Sequence, residues 1–229
     1  MICLRWVSLW FLFPLVAIAQ PWQLVGQTII TFAGGQESRI SEINDRLAQI
    51  IRNSDPHANW TVSQQPIYIS VTEKSKDPKA KPKTVQKLQR IEVFLNNSFL
   101  LAVGEEDVIR QGAISLAALA QEWTNSLQQF LRVPENRRSV YISQVLPPVL
   151  IYQGKTYRVL LEPVLDRGLF RTTGVRVGER VVFWEVPADD RTYLLDSKTK
   201  QEIEKSAQNP DRIFIFDPKL QFVAYSRVE

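Results

Sequence analysis

The sequence predicts an α+β protein in which an N-terminal domain of two helices on an antiparallel sheet precedes a mainly β C-terminal domain. The first observation is the stretch Ile91–Leu131. Its first residues alternate as in a pleated strand, a turn and a second strand follow, and its last third places apolar residues on one helical face. The second observation is that helical periodicity is lost after Ser139, where short β-branched and aromatic runs are separated by turn residues.

The N-terminus has the layout of a secretory signal peptide. Arg5 precedes a short apolar run, and Ala17-Ile18-Ala19 offers a small-x-small cleavage site. The run is shorter than the ~20 residues that span a bilayer, so we expect cleavage after Ala19, with an uncleaved anchor as the alternative. The single cysteine, Cys3, belongs to this signal. We therefore expect an extracytoplasmic protein, periplasmic or secreted and free of disulfides, divided into a signal peptide (1–19), an α+β domain (20–133) and a mainly β domain (139–229).

The α+β domain is expected to begin with a short strand, Thr28–Phe32, and an amphipathic helix, Ser38–Asn53. A strand from Pro66 to Thr72 follows. Residues 73–87 carry six lysines and two prolines without any apolar period, which predicts a solvated hairpin loop. A cationic arm that attracts an anionic polymer or a membrane surface is the alternative.

The central hairpin is expected to pair Ile91–Leu95 with Phe99–Val103 through a turn at Asn96-Asn97-Ser98. An acidic connection, Glu105-Glu106-Asp107, then leads towards the second helix. Acids near a helix N-terminus are stabilised by its dipole, so they do not require a metal ion. Trp123 lies at the centre of the helix's apolar face, and we expect it to be buried against the hairpin while the glutamines of the opposite face lie in water.

Beyond Val133–Arg138, which we interpret as a linker, the second domain is predicted to be mainly β. One weak helix, Lys198–Gln208, interrupts it, and a turn at Asp217-Pro218-Lys219 joins its last two strands. The predicted strands are Val149–Tyr152, Tyr157–Leu161, Arg180–Val186, Thr192–Leu195, Arg212–Phe216 and Leu220–Arg227.

Positive charge is mild overall but locally dense. Without Arg5 the chain has 27 basic and 24 acidic residues, and this net charge of +3 does not indicate nucleic acid. One C-terminal segment places several arginines among aromatic residues, which suits an anionic glycan or a phospholipid headgroup, although ordinary strand decoration is the alternative. The candidate ligand-binding residues are Arg167, Arg171, Arg176, Arg180 and Trp184.

The residues that catalysis usually needs are scarce. His57 is the single histidine, and the sequence contains neither a Gly-x-Ser-x-Gly motif nor a phosphate-binding glycine loop. One histidine and one cysteine are too few for a zinc site, so we predict no cofactor and no metal. We expect a non-enzymatic binding or scaffold module for an anionic envelope polymer or a protein partner. A cell-wall or polysaccharide hydrolase, whose carboxylates cannot be recognised from sequence, is the alternative.

Several short motifs in the first half of the chain follow one another in a fixed order. They are Gly26-Gln27-Thr28-Ile29-Ile30, Arg39 with Ile43, Arg46 and Leu47, Leu100-Leu101-Ala102-Val103 followed by Asp107-Val108, and Leu119-Ala120-Gln121-Glu122-Trp123. In this order they resemble the N-terminal extramembrane segment that precedes the channel helices in a group of cyanobacterial proteins of the small-conductance mechanosensitive channel family. The resemblance covers Trp22–Leu131, and Ser139–Glu229 resembles no family.

Three positions depart from that family's pattern. Gly104 stands where the pattern has a threonine, and Ile40 and Val108 replace small residues. No membrane-spanning segment follows the matched region in this sequence. The resemblance therefore implies an extracytoplasmic module of cyanobacterial type, without the channel, joined to a β-rich partner domain.

Overall fold

The computed structural model describes residues 19–73, 83–161, 169–186 and 210–228. These residues form four helices and eleven strands, which confirms the predicted α+β class. Residues 1–18 of the predicted signal peptide lie outside the described residues, as do the strand predicted at 192–195 and the helix predicted at 198–208.

The first part of the chain contains a two-stranded ribbon, a three-stranded sheet and three helices. Its elements are β1 Gln20–Leu24, β2 Gln27–Phe32, α1 Glu37–Asn53, β3 Val62–Glu73, β4 Lys83–Leu95, β5 Ser98–Gly104, α2 Glu105–Gln111 and α3 Leu116–Arg132. The strands β1 and β2 pair with each other, and β3, β4 and β5 are adjacent in that order, with every pairing antiparallel. The sequence patterns did not predict β1 or the short helix α2.

The β4–β5 hairpin turns on two of the three predicted residues, Asn96 and Asn97, and Ser98 already belongs to β5. Asn96 and Asn97 have φ values of 49° and 62°. A two-residue turn of this kind requires positive φ at both positions, and asparagine tolerates that conformation better than most residues. The Asn96 side chain also accepts a hydrogen bond from the Thr61 backbone N–H (3.0 Å) and donates one to Ser54 Oγ (2.9 Å). The turn is therefore tied to the segment that follows α1.

The lysine-rich hairpin loop is shorter than the sequence predicted. The strands β3 and β4 stay paired up to the boundaries of residues 74–82, which lie outside the described residues. The prediction that the loop reaches Lys87 is therefore wrong. Lys83 already belongs to β4, and the β-branched residues Thr84 and Val85 favour the strand in spite of the neighbouring lysines.

The first hydrophobic core lies between α3 and the strands. Trp123 is only 4% exposed, which confirms its predicted burial, and its ring meets Phe32 of β2 edge-on with the ring centroids 5.0 Å apart. The ribbon, which was only half predicted, thus supplies the aromatic partner of the central tryptophan.

The glutamine-rich face of α3 is exposed at Gln121 and Gln129, as predicted, and two of its glutamines also bind the neighbouring sheet. Gln128 Oε1 accepts a hydrogen bond from the backbone N–H of Val62 at 2.9 Å, and Gln121 Oε1 accepts one from Gln64 Nε2 at 2.8 Å. Both partners lie on β3, the edge strand of the sheet. The polar face of α3 therefore helps to hold the helix against that edge.

The residues that were interpreted as a linker begin a fourth helix, α4 (Pro134–Val145), so the linker prediction is wrong. Proline occupies the first helical position, where its missing N–H removes no intrahelical hydrogen bond. The buried guanidinium of Arg137 donates from Nη1 to the carbonyl oxygens of Leu131 (2.8 Å) and Arg132 (2.9 Å). Because these are the last carbonyls of α3, the first turn of α4 caps the preceding helix.

The second part of the chain is an antiparallel sheet of six strands. They are β6 Val149–Tyr152, β7 Lys155–Val159, β8 Leu169–Val177, β9 Arg180–Val186, β10 Arg212–Asp217 and β11 Gln221–Arg227. Their order across the sheet is β6-β7-β11-β10-β9-β8. The strand β8 was not predicted, because a register shift and Gly174, with φ of 74°, interrupt its alternation.

Two hydrophobic cores meet at α4. Val140 and Tyr141 belong to the first core, which contains α1, α3 and the first three-stranded sheet, whereas Ile142 and Leu146 belong to the core of the six-stranded sheet. The division into domains 20–133 and 139–229 stays a prediction. The helix at the proposed boundary is shared by both parts.

Replacing Trp123 with alanine should lower the free energy of unfolding by about 3–5 kcal/mol, because truncating a buried aromatic ring leaves a cavity. Urea unfolding followed by circular dichroism measures the change. Ile114→Ala is the control, since Ile114 is 98% exposed and its truncation should change stability by no more than about 0.5 kcal/mol. A loss below about 1 kcal/mol for the Trp123 variant would contradict its packing role.

Candidate functional site

The predicted arginine segment does not form a single surface among the described residues. Arg176 lies opposite Val181 in the β8–β9 ladder, and Arg180 lies opposite Val177. Because successive residues of a strand point to opposite faces, Arg176 and Arg180 are on different faces of the sheet, and Trp184 shares the face of Arg180.

The members of the segment also differ in exposure. Arg176 is exposed, Arg180 is half-buried, and Trp184 is buried at the face that carries the second core. Arg167 lies outside the described residues, and for Arg171 only the backbone, in β8, is described. The assignment of these residues to a ligand stays a prediction.

Arg180 lies beside two buried tyrosines. Burial raises the pKa of Tyr141 to about 12, helped by the hydrogen-bonded carboxylate of Asp217 and opposed by the positive charge of Arg180. Burial likewise raises the pKa of Tyr225, again opposed by Arg180. Asp217 also accepts hydrogen bonds from the backbone N–H groups of Lys219 (2.9 Å) and Leu220 (3.1 Å). The carboxylate is thus held by the β10–β11 turn and by a core tyrosine, which is a structural arrangement.

The same β10–β11 turn connects the six-stranded sheet to α1. Lys219 Nζ donates to the carbonyl oxygens of Arg52 (2.9 Å) and Ser54 (2.8 Å) and lies 5.4 Å from the ring centroid of Tyr141. A cation at a helix C-terminus is favoured by the helix dipole. His57 completes the contact, because its Nε2–H donates to the Lys219 carbonyl oxygen at 2.8 Å. The single histidine therefore joins the two parts of the molecule, which the sequence could not reveal.

Arg39 is the centre of a second charged cluster, inside the first part of the chain. Its guanidinium binds both carboxylate oxygens of Asp107 (2.5 and 3.0 Å) and lies 4.9 Å from the ring centroid of Phe32 and 5.7 Å from that of Trp123. Asp107 also accepts the backbone N–H of Gly104 at 2.8 Å, which caps α2. Asp107 thus stabilises the start of a helix, as its position in the sequence indicated, and in addition pairs with Arg39.

Arginines of α1 also cover the free edge of β5. Arg39 donates to the carbonyl oxygen of Ala102 (2.5 Å) and Arg46 to that of Leu100 (3.3 Å). Carbonyls two residues apart lie on the same side of a strand, so the two side chains satisfy successive acceptors of an edge that would otherwise be open to another chain. These arginines are engaged in the fold and are not candidates for ligand binding.

A groove of about 540 Å³ lies where the β6–β7 turn meets the end of β11. The cations Lys155 and Arg227 line it, and Arg227 Nη2 lies 3.0 Å from Asp211 Oδ1. The Val228 backbone N–H donates to the Thr156 carbonyl oxygen at 2.9 Å, which brings the end of the described chain to this corner. The remaining lining residue is Gly154 of the turn. Sequence reasoning missed this groove, since its two cations come from distant parts of the chain.

Aliphatic side chains lie next to this groove. In the β6–β7 ladder Val149 is opposite Arg158 and Ile151 is opposite Thr156, so these four residues share one face of the sheet. Ile151 is 67% exposed and Val149 is 43% exposed. Lys155, opposite Tyr152, and Arg227, opposite Tyr157, lie on the other face of the same end of the sheet. We name this end, with both of its faces, the β6 corner: Val149, Ile151, Lys155, Arg158, Arg227 and Val228.

Among the described residues, basic side chains outnumber acidic ones in the second part of the chain. Among the described residues from 149 onwards there are eight basic and four acidic residues, whereas the described residues before 149 contain ten basic and eleven acidic ones. Over the full sequence the two parts are nearly alike, with 13 basic and 12 acidic residues from 149 onwards and 14 basic and 12 acidic residues in 20–148. The excess of cations is therefore local to the described residues of the six-stranded sheet. Its exposed arginines include Arg158, Arg176 and Arg212.

Within the described ranges, no group of three or more histidine, cysteine, aspartate or glutamate side chains could hold a metal ion. None of the described helices is long and apolar enough to cross a membrane. Comparisons with protein-family models, with curated proteins and with solved structures find no match. The resemblance of Trp22–Leu131 to the mechanosensitive channel segment stays a prediction, although three of its motif residues, Arg39, Asp107 and Trp123, meet in one cluster.

Tyr141→Phe should reduce the loss of stability at high pH. The folded protein keeps the Tyr141 proton up to a pKa of about 12, while an unfolded tyrosine loses it near 10. The stability that the buried phenol contributes is therefore complete below pH 10 and is lost as the pH rises towards 12. Urea midpoints measured from pH 8 to 12 should therefore fall less steeply in the variant. Tyr68→Phe, at an exposed position on β3, is the matched control. Equal slopes in wild type and Tyr141→Phe would contradict the buried environment of this phenol.

Proposed function

We propose that this protein is a non-enzymatic, extracytoplasmic binding module that holds an anionic ligand on its six-stranded sheet. The observation that carries the proposal is the set of exposed arginines on the strands of this sheet, Arg158, Arg176 and Arg212, which form no ion pair with any described carboxylate. Clustered surface cations raise the local concentration of anionic ligands and steer their approach.

The surface arginines of the sheet differ from those of the first part. Arg39 and Arg137 donate to carbonyl oxygens of the fold. Within the described residues, by contrast, no carboxylate lies within ion-pair distance of Arg158, Arg176 or Arg212. Guanidinium groups that have no structural partner are suited to bind phosphate or carboxylate groups of a ligand.

The buried carboxylates favour binding over hydrolysis. Asp107 is paired with Arg39 and caps α2, and Asp217 accepts hydrogen bonds from its own turn. A glycosidase needs one carboxyl group that protonates the leaving group and a second that acts on the sugar or on water. Carboxylates that are already bound by arginine or by backbone N–H groups are poorly placed for either role. This supports the binding module over the hydrolase.

The compartment belongs to the same proposal. The apolar run after Arg5 and the Ala17-Ile18-Ala19 site support export, and an envelope contains the anionic polymers and lipids that such a surface fits. A protein partner with an acidic surface is compatible with the same exposed arginines.

Retention on an immobilised anionic polysaccharide tests the proposal. The full chain should bind polygalacturonate at low salt and elute as the salt rises from about 0.1 to 1 M, since the Debye length falls from ~10 to ~3 Å. The double variant Arg176→Gln/Arg212→Gln should weaken binding roughly 30-fold, at about 1 kcal/mol for each cation near an anionic surface.

The matched control is Arg110→Gln/Arg132→Gln, which removes two exposed arginines from the first part of the chain. Its net charge equals that of the sheet variant, so it should elute like wild type if the sheet is the binding surface. Equal weakening of the two variants would show a response to net charge alone and contradict the proposed surface. A wild type that is not retained at low salt would contradict the anionic ligand.

A further inference from the structure

We propose that the β6 corner docks the protein on an anionic lipid surface. This inference rests on the proposed function and specifies its ligand, because it adds an apolar contact to the electrostatic one. One face of the corner combines the exposed aliphatic side chains of Val149, Ile151 and Val228 with Arg158, and these residues come from neighbouring strands.

The aliphatic side chains are placed side by side by the strand register. Val149 and Ile151 lie on β6, two residues apart and therefore on one face. Val228 follows β11, and its backbone N–H binds the carbonyl oxygen of Thr156, the residue opposite Ile151. Ile151 is 67% exposed, and Val149 and Val228 are 43% and 41% exposed. Single exposed aliphatic residues are normal on a protein surface, but three on neighbouring chain segments form a patch.

One cation of the corner, Arg158, lies on the same face of the sheet as that patch. Arg158 is opposite Val149 on the same face, and no described carboxylate pairs with it. Lys155, opposite Tyr152, and Arg227, opposite Tyr157, lie on the other face of the same end of the sheet, where they line the groove of about 540 Å³. Arg227 is already bridged to Asp211, so the electrostatic contact of the docking face relies on Arg158.

The combination favours a lipid surface over a polysaccharide. Long cationic side chains reach headgroup phosphates while shorter aliphatic side chains enter the layer beneath them, and lasting attachment to a membrane surface requires both contributions. A polysaccharide would satisfy the arginines but would leave Val149 and Ile151 against hydroxyl groups, where their burial gains little. The apolar residues therefore identify the ligand class, while the cations identify only its charge.

Vesicle co-sedimentation of the full chain tests the inference. Vesicles of phosphatidylcholine provide the baseline, because any attachment through the N-terminal apolar run is shared by all variants and does not depend on lipid charge. Vesicles that contain phosphatidylglycerol should bind the wild type more strongly than this baseline. Val149→Ser/Ile151→Ser should weaken that additional binding roughly tenfold or more, since two aliphatic side chains no longer enter the lipid. Arg158→Gln should weaken binding both to these vesicles and to polygalacturonate.

The matched control is Ile109→Ser/Ile114→Ser, which makes the same chemical change at two positions that are 79% and 98% exposed in the first part of the chain. It should bind vesicles like wild type. All substituted residues are exposed, and thermal unfolding midpoints verify that each variant folds.

The outcomes separate this inference from the proposed function. Retention of Val149→Ser/Ile151→Ser on polygalacturonate together with its weakened vesicle binding supports the lipid docking site. If that variant binds phosphatidylglycerol vesicles like wild type, or if the wild type binds polygalacturonate and shows no preference for these vesicles, the inference is overturned while the anionic ligand stands. If the wild type binds neither, both proposals fail.

Discussion

The helix α4 places consecutive residues in two different hydrophobic cores, and the arrangement of the whole molecule depends on this. Tyr141 is packed in the first core, and the next residue, Ile142, is packed in the second. A residue on each side of one rigid helix prevents either core from moving without the other. The contact of Lys219 and His57 with the end of α1 adds a second connection that passes through hydrogen bonds. The single cysteine, Cys3, cannot supply a disulfide within the chain, so packing and these contacts are the means of connection.

The elements with one apolar face were predictable from sequence, and those with two were not. The helix α3 buries a single stripe that includes Trp123, so its period is clear. The helix α4 buries Val140 and Ile142 against different cores, and its first turn carries the buried Arg137, so no single stripe is present. Because α4 packs against both cores, it connects the two parts of the molecule, and for the same reason its sequence lacks the single apolar stripe that predicts a helix.

The candidate site shows the corresponding limit for strands. Proximity in sequence grouped Arg176 with Arg180, but in a pleated strand pair these residues point to opposite faces. The β6 corner, on the other hand, depends on the pairing of β11 with β7, which brings Arg227 beside Tyr157. No local sequence pattern predicts this strand pairing, because it joins segments that are separated by most of the second part of the chain. The sequence shows which residues are cationic, but only the fold shows on which face of the sheet each of them lies.

The proposed function divides the arginines into those that bind groups of the fold and those that would bind a ligand. The guanidinium of Arg39 donates hydrogen bonds to Asp107 and to a carbonyl oxygen, whereas Arg158 projects from the sheet beside Val149. Amide NMR of the full chain, titrated with a soluble short-chain phosphatidylglycerol, tests this division most directly. The account predicts shifts in β6, β7 and the end of β11, with the amides of α1 and α3 unchanged. Shifts confined to the lysine-rich segment 73–87 or to the N-terminal residues, with β6 and β7 unaffected, would contradict it.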